Sequence, residues 1–306
     1  MLEEMIQEFS NIDFVGISMQ THATLSAVRG ILCFYETERN SETLEVAKRI
    51  FSLYQNQGMT QNYANYNWFG RPQWTEPCGV VDSLMLAQDL FGETGERAWL
   101  RLANRIFFNG LLSGQRENGG FGCDSCVTRD GKQPLLAVHK GAYEAYWCCS
   151  MRGAEGLTAA ACGSVFERAG EIVLALRGAG RYSLEQAEVQ IRGDFPWEEK
   201  VEITFAGVRA PFMLRVLLPQ GVQVRDWPEG ARREENDLLL RVARDGAVSL
   251  ALETPVRREA LPGGGHTLWR GDLLLGGEDE ATAQPVALRQ HWAREALERR
   301  PLRLIF

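Results

Sequence analysis

AAACGSVFERAGEIVLALRG, Ala159 to Gly178, holds the point at which the chain changes its period. On its N-terminal side apolar residues recur three and four apart, as amphipathic helices require. On its C-terminal side they alternate, as half-buried strands require. The reading is an α+β chain: a helical part over 1–163, a β part over 164–279, and a C-terminal helix or tail over 280–306.

The helical part divides at short polar links. THATLSAVRGILCFYETERN, SETLEVAKRIFSLYQNQG, CGVVDSLMLAQDLFGETG and GERAWLRLANRIFFNGLLSGQ each keep the helical period, and ETERNSE and FGETGER join them tightly enough for helical hairpins. Two stretches break the pattern, QNYANYNWFGRPQWTEP and RENGGFGCDSCVTRDGKQP. Both read as long loops, and long loops in a helical domain are where function concentrates. In the β part, GEIVLALRG, EVQIRGDF, KVEITFAG, PFMLRVLL, DLLLRVA and AVSLALE read as strands of an antiparallel sandwich.

Length and charge narrow the function. A chain of 306 residues has room for about two domains. A net charge of −7 excludes nucleic acid and anionic membrane as main partners. No apolar run approaches the roughly 20 residues of a membrane span, and MLEEMIQEFS lacks a signal peptide's basic-then-apolar layout. The expected location is the cytoplasm, where seven cysteines are thiols or metal ligands before they are disulfides. Cys33 and Cys162, in the apolar settings GILCFYE and TAAACGS, read as buried core thiols.

The chemistry gathers at TEPC (Glu76, Cys78), CDSC (Cys123, Cys126) and the adjacent pair in EAYWCCSMRG (Cys148, Cys149). Zinc takes four thiolate, imidazole or carboxylate ligands. One set is Glu76, Cys78, Cys148 and Cys149; the other is Cys123, Cys126, Cys148 and Cys149. Composition alone favours the second, because a CxxC followed by a second close pair is a zinc signature. Tyr63, Tyr66, Trp68 and Trp74 offer flat faces to a sugar, and Asn67 and its neighbouring asparagines offer hydrogen bonds; the same residues would equally plug a core.

TEPC, a helical hairpin and a later CC behind an aromatic together resemble the zinc-thiolate enzymes of glycoside hydrolase family 127. This is the β-L-arabinofuranosidase-like group, also called domain of unknown function 1680. THATLSAVRG is similar to that family's His-Ala helix start, and IRGDFPWEEKVEITF with FMLRVLLP to its strand, Pro-Trp corner and strand. The likeness runs patchily from His22 to about Pro219. It implies Zn2+ held by Glu76, Cys78, Cys148 and Cys149, with Cys148 as nucleophile and His22 in the sugar pocket. It also implies a retaining hydrolase acting on a furanoside such as an arabinofuranoside.

The chain departs from the family in three ways. The loop that carries the family's acid/base glutamate has Gln61 here and no carboxylate before Glu76. Glu144, one helical turn before Cys148, and Asp124 are the substitutes at hand. The family's toroid has twelve helices, and this chain has room for about half, a partial (α/α) toroid; a homodimer or a partner subunit would complete it. CDSC is extra. A zinc-bearing carbohydrate-binding or scaffolding relative, or a metal-thiolate enzyme acting on a modified glycoside, are the alternative readings.

Overall fold

Asn40 shows how the helical boundaries are set. Its side chain accepts the Glu42 N–H at 2.9 Å and so caps the helix that follows. In this computed structural model the described residues are 1–71, 73–116, 118–128, 134–143, 148–260, 266–276 and 284–285. They form two units, Met1–Ala159 and Ala160–Val286.

The first unit contains α1 (Leu2–Ser10), α2 (Thr21–Glu38), α3 (Ser41–Gln57), α4 (Pro77–Thr94), α5 (Arg97–Arg105) and α6 (Cys148–Cys162). Pro77 occupies the first turn of α4, where its missing N–H costs nothing. Gly95, at φ 71°, ends the helix in the left-handed region. α4 is the centre of the unit: it packs on α2 and α5, and it is buried on nearly every side. That suits its sequence, VVDSLMLA, which is apolar all round but for one acid and one serine.

The long helix read from GERAWLRLANRIFFNGLLSGQ is not uniform. After α5 it widens into a π-helical stretch, Ile106–Leu111, and tightens to a 3₁₀ turn, Leu112–Gly114. Side chains support the wide turn by bonding backbone carbonyls: Asn109 Nδ2 to Arg105 at 2.9 Å and Ser113 Oγ to Asn109 at 2.7 Å. Gly110 is required here, because a Cβ would stand 2.2 Å from the Tyr63 carbonyl oxygen. The loop of residues 58–76 therefore rests directly on this turn.

Two expectations are corrected. The CDSC stretch is not irregular; it is β1 (Cys123–Thr128), paired antiparallel with β2 (Pro134–Tyr143). The pairing supplies backbone partners that composition cannot reveal. Cys33 and Cys162 are exposed, because each lies off the apolar stripe of its helix.

The second unit has two five-stranded sheets. One orders its strands Arg232–Glu234, Asp237–Val242, Phe212–Leu217, Glu171–Leu174 and Val165–Arg168. The other runs Gly180–Ser183, Glu188–Arg192, Lys200–Ala206, Gly246–Glu253 and Gln223–Val224. Alternate residues from both sheets, such as Ile172, Leu174, Leu214 and Val216 with Val189, Ile191, Ile203 and Leu250, share one apolar cluster. Each such side chain contributes roughly 1.5–3 kcal/mol on burial. The pairing is not wholly antiparallel: Glu171–Leu174 runs parallel to Phe212–Leu217. A smaller four-stranded sheet ends at Gln284–Pro285. The rest of the expected C-terminal helix lies outside the described residues.

Candidate thiol and carboxylate centre

The N-terminus of α4 is held by the loop before it. The Glu76 N–H donates to Asn65 Oδ1 at 2.8 Å, and Asn65 Nδ2 donates to Thr21 Oγ1 at 2.9 Å. The Thr21 hydroxyl passes on to the Tyr66 carbonyl at 2.6 Å. Gly79 lets Asn65 approach, since a Cβ there would meet its Nδ2 at 2.5 Å. The start of α2, the loop and the start of α4 are thus one hydrogen-bonded piece.

Two donor groups meet at the start of α4, and they share Cys78. Cys78, Cys148 and Cys149 place their sulfurs within 4.8 Å of one another; His22, Glu76 and Cys78 do likewise with one ligand atom each. The Sγ atoms of Cys148 and Cys149 are 3.9 Å apart. Thiolates sharing a tetrahedral zinc at 2.3 Å would sit about 3.8 Å apart, so the donor set and its spacing fit a metal. Cys78 and Cys149 are buried, and Cys148 is exposed.

Electrostatics separate these groups. The hydrogen bond to Cys149, with burial, pushes the Cys78 thiol up. Its hydrogen bond to Cys123 pushes Cys149 up, and burial raises Cys148. Burial likewise raises the Glu76 carboxyl, which receives Gln20 Nε2 at 3.1 Å. Ion-free, the cluster therefore resists ionisation, as crowded buried acids do.

Cys123 reaches Cys149, at 4.0 Å between sulfurs. Cys126 joins no group of three or more donors among the described residues. Its thiol is pushed up to about 12 by burial and by Asp124. Asp124 itself is buried and paired with Arg116 at 2.8 Å. Glu144 lies outside the described residues, and Gln61 is half-buried in the loop.

Of the loop's aromatic residues, Tyr63, Tyr66, Trp68 and Trp74 are half-buried and Phe69 is buried. Trp68 and Trp74 lie 5.7 Å apart between ring centroids, and Trp74 packs against Cys78, Cys123 and Cys149. Tyr63 sits at φ 61°, with its hydroxyl accepting Arg105 Nη1 at 2.7 Å. Burial pushes the Tyr66 phenol up to about 12. Asn67 is buried and gives its carbonyl to the Thr21 N–H at 2.9 Å.

Asp82, which sequence reasoning passed over, lies one turn beyond Cys78 with its side chain wholly buried. It accepts His22 Nδ1 at 2.7 Å, Ser26 Oγ at 2.8 Å, Arg29 Nη1 at 2.9 Å, and Arg152 Nη2. Burial opposes its ionisation; the His22 hydrogen bond and the Arg152 charge prevail and hold it below the usual carboxylate range. In return Asp82 raises His22. The signal was present in the sequence: one acid in an otherwise apolar run.

Residues 10–161 match the family described as β-L-arabinofuranosidase, GH127 catalytic domain. Three solved structures share the fold. One is a GH127 β-L-arabinofuranosidase from Geobacillus stearothermophilus T6, 14% identical, TM-score 0.64, covering 84% of this chain and 46% of its own. A second, titled glycoside hydrolase, is 16% identical with TM-score 0.65, covering 84% and 52%. The third, a GH127 β-arabinofuranosidase, is 13% identical with TM-score 0.63, covering 84% and 47%. The chain thus spans about half the length of these solved relatives. No curated protein matches it. No described helix is long and apolar enough to cross a membrane.

Proposed function

Residues 10–161 belong to the GH127 catalytic-domain family, and on that premise we propose that the chain is a retaining glycoside hydrolase acting on an arabinofuranoside-like substrate. The observation that carries the reading is the convergence of Cys78, Cys148 and Cys149 beside Glu76, with Cys148 facing solvent. The ligand set is Glu76, Cys78, Cys148 and Cys149. Zinc, when bound there, would supply the charge that keeps these thiols ionised near neutral pH.

Cys148 Sγ attacks the anomeric carbon. The C–S bond forms as the glycosidic C–O bond breaks, and the leaving oxygen takes a proton. Water then attacks the same carbon, the C–S bond breaks, and two inversions give retention. His22, Tyr63, Tyr66, Asn67, Trp68 and Trp74 form the sugar-binding wall. Gln61 stands where an acid would serve and has no proton to give, so Glu144 is the substitute. The helical part, through 163, is an open portion of an (α/α) toroid. The β part, 164–279, is a supporting sandwich. A second copy or a partner subunit completes the ring.

An aryl arabinofuranoside tests this, because its leaving group departs without protonation. Cys148→Ser should keep the fold and lower turnover by on the order of 10⁴–10⁶-fold. Cys78→Ser should lose zinc, measured by mass spectrometry of the native protein. Full zinc retained by Cys78→Ser but lost by Cys123→Ser would establish the other ligand set. Gln61 favours a second reading, a sugar-binding relative without hydrolysis. Sugar binding with no turnover, unrestored by Gln61→Glu, would decide for it.

A further inference from the structure

Buried carboxylates inside apolar helices need a reason, and α4 offers no local one for Asp82. Its neighbours Val80, Val81 and Leu84 are buried and apolar. Its partners come from the two helices that carry the remaining donors of the site. His22, Ser26 and Arg29 lie on α2, and Arg152 lies on α6. The spacing is regular. Cys78 precedes Asp82 by four residues on α4, and Cys148 precedes Arg152 by four on α6. Residues four apart share a helix face. The Asp82–Arg152 ion pair is therefore a rung one turn along from the place where Cys78 meets Cys148.

We propose that Asp82 is the positioning residue of the thiol centre. It locks α4 and α6 in the axial register that brings Cys78 to Cys148 and Cys149, and it holds His22 by Nδ1 so that Nε2 is the nitrogen left for a ligand. A slip of one turn moves a helix by about 5.4 Å, more than the whole spread of the sulfur atoms. The hydrogen bond to Nδ1 fixes the imidazole tautomer as a carboxylate beside a liganding histidine does. The inference rests on the reading of the thiol cluster as the working site.

The test uses cobalt(II) as probe on the full chain, read at the thiolate-to-cobalt charge-transfer band, with ¹⁵N NMR of the imidazoles in metal-free protein. Wild type should show the band, and neutral His22 should carry its proton on Nδ1. Asp82→Asn should weaken cobalt binding about 10–100-fold, dim the band and release the tautomer preference. Arg152→Met breaks the same rung from α6 and should weaken cobalt binding in the same direction. It serves where Asp82→Asn does not fold. A wild-type band with unchanged cobalt affinity in both variants overturns the positioning role and leaves the site reading intact. Neutral His22 protonated on Nε2 in wild type also overturns it. No band in wild type overturns the site reading and this inference with it.

Discussion

Each unit holds a buried charge surrounded by several groups of the opposite sign. In the helical unit a carboxylate, Asp82, gathers His22, Arg29 and Arg152. In the β unit a guanidinium, Arg215, gathers Glu171 at 2.7 Å, Glu234 at 2.9 Å and Asp237 at 3.2 Å. The electrostatics are mirror images, and the settings are not. The partners of Arg215 lie on neighbouring strands of one sheet, with no thiol or imidazole among them. Asp82 joins helices that each deliver a reactive group. A buried charge alone therefore marks a clamp; its coincidence with nucleophiles marks a site.

Four changes would break or sharpen this contrast. Asp82→Ala leaves two guanidinium groups and an imidazole facing a void, and should cost about 3–5 kcal/mol in urea unfolding. Arg215→Ala should cost less, about 2–3 kcal/mol, because Glu171 and Glu234 can turn to water and only Asp237 stays trapped. Its cobalt affinity should equal wild type; a matching loss of affinity would erase the distinction between clamp and site. Asn65→Ala strips the Glu76 N–H and the Thr21 hydroxyl of a partner, and should cost about 1–3 kcal/mol.

The smallest effect comes from Asp89, on α4 seven residues beyond Asp82. Burial raises its carboxyl to about 6, with Arg29 opposing and Glu36 and Glu93 assisting. The folded protein thus holds this proton more tightly than the unfolded chain, so Asp89 subtracts stability as pH rises from about 4 to 6. Asp89 is only half-buried, so with the shift discounted for solvent screening Asp89→Asn should stabilise by about 1 kcal/mol above pH 6 and leave melting unchanged near pH 4. Asp82 has the opposite sign. Its depressed carboxyl stabilises above the unfolded value of about 3.9, and that support is lost as acid protonates it.

Periodicity made much of the fold legible. α2, α3 and α4 follow from apolar spacing and from Asn40, Pro77 and Gly95 as punctuation, and strands such as Lys200–Ala206 follow from strict alternation. Pairing partners were not legible. The hairpin through CDSC joins residues of weak strand preference, and the parallel pairing of Glu171–Leu174 with Phe212–Leu217 depends on a strand about forty residues away. In the site, cysteine spacing alone favoured Cys123, Cys126, Cys148 and Cys149; the family resemblance is what implied Cys78 beside Cys148 and Cys149, and those three sulfurs gather. Asp82 was hidden because its Arg29 and Arg152 partners lie 53 and 70 positions distant. Asn65, offered as a sugar ligand by its surroundings, gives its side-chain oxygen to the Glu76 N–H of its own loop.

The wide turn at Ile106–Leu111 makes this chain intolerant to changes of length at one place. A π turn carries one residue more than the helix around it. Deleting any single residue there would return the stretch to 3.6 residues per turn and close the wide turn on which the loop rests. Gly110 would leave its place beneath Tyr63, a side chain would take the spot, and the loop ending at Glu76 would be lifted from its seat. A deletion scan across α5 and this turn should therefore show its deepest loss of cobalt binding at a stretch that contains none of the proposed ligands.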